Sequence, residues 1–381
     1  MRRPGITPER RHRGRLGPHY PRMLHDTEGL IVAVLVGSGG LGGAERSTLE
    51  LAAADRAAGG RFVVLARDRG EGAISQLADQ LDVPLVRVKG LFGAIRVLRH
   101  LRPAVVWPFG LRWSLSLRLL VQRPVVTDPR GRRPVVFAAQ RGLDTWRRPW
   151  HNNADVATQR LVDRFVANSR AARNMLVESV GIDPDRTVAI WSGVSEEWLQ
   201  PLRPREGTEV VRLIVVGTNR DEKGHPDALV ALSELLGRDD WVATVYTSGG
   251  SALDLQLQAH GLEDRVTVVR NHALAPADYD AADELLHSSR AESLPRAVLE
   301  ALARGLSVVA TDVGDVADLV GPCGRVVPPA GIDDMVVALD AAIEAARGPV
   351  PAEVALARQR RCPRQSTVVD DLRGLIGSLD S

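Results

Sequence analysis

Apolar residues along this chain fall in short runs, separated by loops and amphipathic stretches. Residues 30–36 form an unbroken apolar run, which reads as a strand buried on both faces. A glycine loop over 37–43 follows, then a helical pattern over 44–58. The same unit recurs. Strands are expected at 62–66, 84–88, 104–107, 124–126, 135–139 and 164–167, with helices at 74–81, 91–101, 111–121 and 169–180. Apolar strands alternating with helices predict a parallel, doubly wound α/β sheet.

Residues 201–209 interrupt this pattern with two prolines and four charges. It then restarts, with strands at 211–216, 242–247, 266–269, 284–287 and 307–310. Helices are expected at 227–236, 253–261, 296–304, 315–319 and 332–346, and residues 352–379 read as one or two terminal helices broken at Pro363. The chain thus divides into a basic tail (1–28), a Rossmann-like half (29–200), a linker (201–209), a second Rossmann-like half (210–350) and a helical end (351–381) expected to fold back on the first half. Ligands of such sheets sit beyond the carboxyl ends of the strands, here in the cleft between two facing domains.

A length of 381 residues is consistent with two domains. The net charge of +2 gives no argument for a nucleic-acid partner. Two cysteines, Cys323 and Cys362, provide neither a disulfide framework nor a metal cluster and fit a reducing compartment. No apolar run approaches the ~18 residues of a membrane span. Within the tail, residues 1–22 are Arg-rich with one acid, Glu9, lack the apolar core of a signal peptide and have the composition of a disordered segment; Met23 is a second candidate start. The expected location is the cytoplasm, with a peripheral contact at the inner membrane surface as an additional expectation. Of 49 basic residues only Lys89 and Lys223 are lysines, so a lysine here stands out against a default of arginine.

Three segments carry candidate chemistry. Gly37-x-Gly39-x-x-Gly42 follows a strand and opens a helix, as in a dinucleotide fingerprint. That reading requires an acid at the end of the second strand, about 20 residues on. The first one beyond that strand, Asp68, is 31 positions past Gly37, too far for the ribose of NAD. An NAD-dependent oxidoreductase is therefore an alternative, and the glycines also suit a backbone-amide cradle for an anion at a helix N-terminus. Residues 216–224 place Arg220 and Lys223 at a strand's carboxyl end, where phosphates bind in this architecture. Glu292 sits in a turn, and Glu300 on the apolar helix that follows. A carboxylate in such a setting is costly unless satisfied, and both are suited to accept sugar or ribose hydroxyls.

The segments Gly42-Gly43-Ala44-Glu45, Val166-Ala-Asn-Ser-Arg170, Gly217…Arg220-x-x-Lys223-Gly224, Glu292-x7-Glu300 and Val308-Val-Ala-Thr-Asp-Val-Gly314 occur in this order. Their order and spacing resemble the retaining GT-B glycosyltransferases of family-4 type (glycosyl transferases group 1). The resemblance covers residues 31–343. It implies two Rossmann-like domains facing across a cleft and metal-independent transfer from a nucleotide-sugar donor to a glycan or lipid-linked hydroxyl acceptor, without a cofactor. It assigns the diphosphate to Arg220 and Lys223, the transferred sugar to Glu292 and the ribose to Glu300. It places Gly217 among the substrate-binding residues and the amides of Ser293 and Leu294 against phosphate or sugar. Gly42 and Gly43 would approach donor and acceptor on closure, with Gln140 and Arg141 as acceptor contacts in a Trp- and Arg-rich loop over 140–151. The base would meet backbone around 270–273. Departures from the common pattern are Ser293 for glycine, Thr218 for arginine, and no histidine in Trp107-Pro-Phe-Gly110. A nucleotide-sugar epimerase shares the architecture and is a further alternative, as is a catalytically silent scaffold subunit.

Overall fold

The computed structural model describes residues 30–37, 42–67, 72–122, 125–202, 204–250 and 252–380. The tail call over 1–28, Gly39 of the glycine loop and Asp68 lie outside the described residues. In the first domain the strands are β1 (Ile31–Val36), β2 (Arg61–Arg67), β3 (Leu85–Val88), β4 (Val105–Pro108), β5 (Val135–Gln140), β6 (Arg164–Ala167) and β7 (Thr187–Ala189). The helices between them are α1 (Gly43–Ala57), α2 (Ala73–Gln80), α3 (Gly90–Leu101), α4 (Leu111–Leu120), α5 (Pro149–Thr158) and α6 (Arg170–Asn174).

The second domain has β8 (Val211–Val216), β9 (Trp241–Thr247), β10 (Val266–Arg270), β11 (Glu284–His287), β12 (Ser307–Thr311) and β13 (Arg325–Val327). Its helices are α7 (His225–Ser233), α8 (Ala252–Ala259), α9 (Pro276–Asp280), α10 (Arg296–Ala303), α11 (Val316–Val320) and α12 (Ile332–Ala346), followed by α13 (Ala352–Gln359) and α14 (Gln365–Asp380).

Each domain is built on one parallel sheet, in the orders β3-β2-β1-β4-β5-β6-β7 and β10-β9-β8-β11-β12-β13. Register carries the apolar runs into the interior. In the first sheet Val34 pairs with Val64 and Trp107; in the second Leu213 pairs with Ala243 and Glu284. Helices cover both faces, which is why the strands read as continuous apolar runs. Leu35, Leu65, Leu98 and Leu117 form one layer of the first domain. Val215, Leu232, Trp241 and Leu339 belong to one layer of the second, and Ile214, Leu285, Val298 and Leu302 to the other. Each such side chain contributes about 1.5–3 kcal/mol by leaving water.

Several elements differ from the expectation. Residues 125–126 turn rather than form a strand, because Asp128 closes a loop, its backbone amide on the Arg132 carbonyl and its carboxylate on the Arg132 amide, each at 2.8 Å. The expected 140–151 loop ends in α5, which Pro149 opens at its first turn, where a missing N–H costs nothing. The helix expected over 169–180 is α-helical only to Asn174 and continues as a π-helix over Met175–Val180. β7, β13 and α9, of three to five residues, are too short to show a period. The 201–209 segment is pinned to the second domain: Arg205 donates to the carbonyls of Ala282, Tyr279 and Arg304. The last helix, α14, lies on α1 of the first domain, where Val369, Leu372 and Ile376 join its core and Arg373 pairs with Asp55 at 2.7 Å.

Candidate active site

In each sheet the strand order reverses once at a central pair, β1 beside β4 and β8 beside β11. The crevices beyond these pairs are where an open parallel sheet binds ligands. In the second domain the crevice is walled by residues 217–224 after β8 and 288–295 after β11. Gly224 has φ +62°, and a Cβ there would lie 2.0 Å from the Ser288 carbonyl oxygen, so glycine is required. Ser288 Oγ donates to the Lys223 carbonyl (3.1 Å), and the Arg290 amide to that of Glu222 (2.8 Å). Arg290 also grips Asp227 through two bonds of 2.7 and 2.5 Å. The two loops are therefore one braced cradle.

Lys223 Nζ donates to Glu292 Oε1 inside this cradle, with side chains 20 % and 18 % exposed, so a ligand can reach both. Arg220 stands on the rim, 65 % exposed, with Nη1 2.9 Å from Glu222 and Nε 3.3 Å from Thr218 Oγ1. The Gly217 carbonyl accepts from His225 Nε2 at 3.1 Å. Beneath the pair, burial lowers the basicity of His225, and His287 is pushed down to about 4, chiefly by burial. Neither histidine adds positive charge to the cradle at neutral pH.

Glu300 is buried in α10, one turn beyond Arg296. Its Oε2 accepts from the Tyr279 hydroxyl at 2.7 Å and its Oε1 from Arg296 Nε at 2.5 Å. Burial and this carboxylate together raise the Tyr279 hydroxyl well above its ordinary range, so it stays a donor. Ser293 and Leu294 are buried at the loop's end. The Ser293 carbonyl accepts from the Asp315 amide (3.0 Å), and Gly314, at φ +60°, comes so close that a Cβ would sit 2.3 Å from that carbonyl. This is the structural reason for a glycine ending the 308–314 segment.

On the first-domain side, Gly42 and Gly43 are exposed at the start of α1, and a Cβ at Gly43 would meet nothing within 4 Å. The Gly42 amide donates to Glu45 at 3.1 Å. Gln140 Nε2 donates to Gly142 O (2.6 Å) and Asp144 Oδ2 (3.0 Å), which braces its own loop. Arg141 lies against Phe109, 5.4 Å from the ring centre, and donates to Ser47 Oγ at 2.9 Å. Burial and nearby Arg296 push it down to about 10. A cavity of about 120 Å³ lined by Gly110, Gln140, Arg141 and Trp146 opens beside it.

The domains meet over this crevice. Ser293 Oγ reaches the Arg141 carbonyl (3.4 Å). Asp315 caps α6 of the first domain through the amides of Arg170 (2.6 Å) and Ala171 (2.7 Å), and accepts from Trp191 Nε1 (2.6 Å). Arg296 pairs with Glu50 of α1 through two bonds of 2.8 Å. Sequence reasoning missed Asp315, Arg296 and Glu50. The only sequence signal for Asp315 is an acid following Gly314 at a strand's carboxyl end; none marks Glu50. A larger cavity, about 430 Å³, lies at the opposite, amino end of the second sheet, lined by Glu284, Ser307, Arg325 and Arg358. Glu284 is pushed up to about 7 there by burial, opposed weakly by Ser307 and the nearby arginines.

Residues 41–198 match the Glycosyltransferase Family 4 model and 210–345 the Glycosyl transferases group 1 model. Among solved structures, a glycosyltransferase from Rickettsia africae superposes with a TM-score of 0.77 at 16% identity, covering 92% of this chain and 99% of that one. HepE from Anabaena, solved in complex with UDP and glucose, gives 0.74 at 18% identity, over 91% and 99%. The fold is GT-B. Its two Rossmann-like domains, each matched by its own family model, account for the two sheets. Curated relatives include the 2-deoxystreptamine glucosyltransferase of Streptomyces kanamyceticus, 31% identical over 54% of this chain and 53% of that protein. A D-inositol 3-phosphate glycosyltransferase of Catenulispora acidiphila is 32% identical over 42% of each. The chain spans about half the length, or less, of the curated relatives it matches.

Proposed function

We propose that this GT-B chain is a glycosyltransferase that moves a sugar from a nucleoside-diphosphate sugar to a hydroxyl acceptor with retention of configuration and without a metal ion. The observation that supports it most is the Lys223–Glu292 pair, held in a braced cradle at the second sheet's switch point with Arg220 on its rim. In this reading the donor diphosphate displaces Glu292 from Lys223 and draws Arg220 in from the rim. Glu292, released, accepts hydroxyls of the sugar. The acceptor oxygen bonds to the anomeric carbon on the face the diphosphate leaves, and its proton passes to the departing phosphate oxygen. Positioning and neutralisation of the leaving charge supply the rate.

That both halves of the chain match glycosyltransferase models favours transfer over the oxidoreductase and epimerase readings. Glu292→Gln, Arg220→Ala and Lys223→Ala are each expected to lower transfer by tenfold or more, at about 1.4 kcal/mol per decade. Wild-type turnover in all three would sink the assignment. The anomeric configuration of the product by NMR decides retention. A thermal-shift panel of UDP-, GDP- and ADP-sugars beside NAD(H) identifies the donor, and stabilisation by NAD alone would reverse the reading.

On the acceptor side, the relatives named for 2-deoxystreptamine and for D-inositol 3-phosphate both act on cyclitol rings, so cyclitol hydroxyls are the first acceptors to assay. Trp146, which lines the cavity beside Arg141, and Trp150 are each more than half exposed and favour contact with a lipid surface or lipid-linked acceptor. Co-sedimentation with anionic vesicles tests it, and equal recovery with and without vesicles would remove it.

A further inference from the structure

The charges between the domains form one line: Arg46 and Glu50 on α1 of the first domain, then Arg296 and Glu300 on α10 of the second. Signs alternate along it. Arg46 holds Glu50 at 3.3 Å and reaches the Leu274 carbonyl of the second domain, also at 3.3 Å. Glu50 takes both terminal nitrogens of Arg296, which leaves Arg296 only its Nε for Glu300. Glu50 and Glu300 are each 5 % exposed and Arg296 20 %, so water competes weakly for these bonds.

We propose that Glu50 and Arg296 are positioning residues that make the nucleoside end of the donor site competent only when the two domains are together. The inference rests on the donor reading above, in which Glu300 accepts ribose hydroxyls. An ionised carboxylate has about four acceptor directions. With Glu50 in place, Arg296 Nε and the Tyr279 hydroxyl use two of them. When the domains part, Glu50 leaves with α1. The guanidinium of Arg296 then has Glu300 as its nearest carboxylate and turns its fork onto it, because a bidentate pair is the strongest arrangement open to it. Arg296 thus competes with the ribose in the open state, and Glu50 draws it off on closure. Bound nucleoside and closed domains consequently favour one another.

The test uses the full chain and UDP titrated by calorimetry, with GDP and ADP in parallel, and donor KM and kcat measured separately. Glu50→Gln keeps the shape and removes the charge. It is expected to weaken UDP binding and raise donor KM about tenfold with kcat within threefold of wild type. In an Arg296→Met background the same change is expected to have no further effect, because Glu50 acts through Arg296. A merely structural Glu50 would give equal losses in both backgrounds, and that outcome overturns the proposal, as does UDP affinity in Glu50→Gln within twofold of wild type. Should Glu50→Gln fail to fold by circular dichroism, Glu50→Asp, shorter by one methylene, is expected to lose about threefold. If Glu300→Gln loses UDP binding while Glu50→Gln does not, the relay falls and the donor reading stands. If folded wild-type protein binds none of the three nucleotides, both fall together.

Discussion

Glu292 and Glu300 stand eight positions apart on one loop-helix junction, yet their surroundings are opposite. Glu292 has one charged partner, Lys223, from its own domain, and both remain within reach of a ligand. Glu300 is largely buried, with a phenol on one oxygen and a guanidinium on the other, and that guanidinium is shared with the opposite domain. The difference follows from where each side chain leaves the backbone. Glu292 sits in the turn that tops β11, at the crevice. Glu300 sits one turn into α10, on the side that faces α9 and α1. In the reading proposed above, one carboxylate exchanges partners and the other reports whether the domains are together. Glu284 gives a third case, a carboxylate buried in the same domain with one oxygen lacking a hydrogen-bond partner, and burial pushes its pKa up to about 7.

The largest effect expected at this comparison is at the exchanging pair. Lys223→Ala should lower kcat/KM about a hundredfold, ~2.7 kcal/mol, since it removes both the partner of Glu292 and a cation at the leaving group. Rates within threefold of wild type would show that Arg220 alone neutralises the diphosphate.

Glu284→Gln should act on stability instead. The native state keeps this proton to about pH 7, whereas the ordinary value is 4.5. Between those values the native state binds more protons than the unfolded chain, so stability falls as pH rises through this window. The variant should lose that slope and gain on the order of 2 kcal/mol at pH 8, read by urea titration at pH 5 and pH 8. Parallel curves for the two proteins at both pH values would show that Glu284 is solvated.

Glu300→Gln comes next, with about a tenfold loss of nucleotide affinity, ~1.4 kcal/mol, because a neutral amide is a weaker acceptor than a carboxylate. An unchanged dissociation constant would remove Glu300 from the ribose site. Ser293→Gly should be smallest. Its hydroxyl makes one long bond across the cleft, 3.4 Å to the Arg141 carbonyl, so transfer rates should stay within threefold. A larger loss would mean that this contact helps to hold the domains together.

Much of this protein was legible in its sequence. The unbroken apolar run at β1 and the strand–helix alternation after it announced a buried parallel sheet, and the restart of that alternation after residue 209 announced a second. Glycines 224 and 314 end two of the segments that carry the resemblance, and their reason is a carbonyl oxygen too close for any Cβ. The pairing of Lys223 with Glu292 joins residues on adjacent loops of one sheet, a neighbourhood that strand order alone implies. That Gln140 braces its own loop was not legible, because an amide at a strand's end has the same letter whatever it bonds.

What only the tertiary structure decided lies between the domains. Glu50 is one acid on a helix whose pattern says nothing of a partner 246 residues away. Asp315 follows a strand, and nothing local shows that it caps a helix in the other half. Local pattern fixes which face of an element is buried, since that depends on periodicity along the chain. Which charged groups then meet depends on how two finished surfaces are set against each other, and no periodicity encodes that.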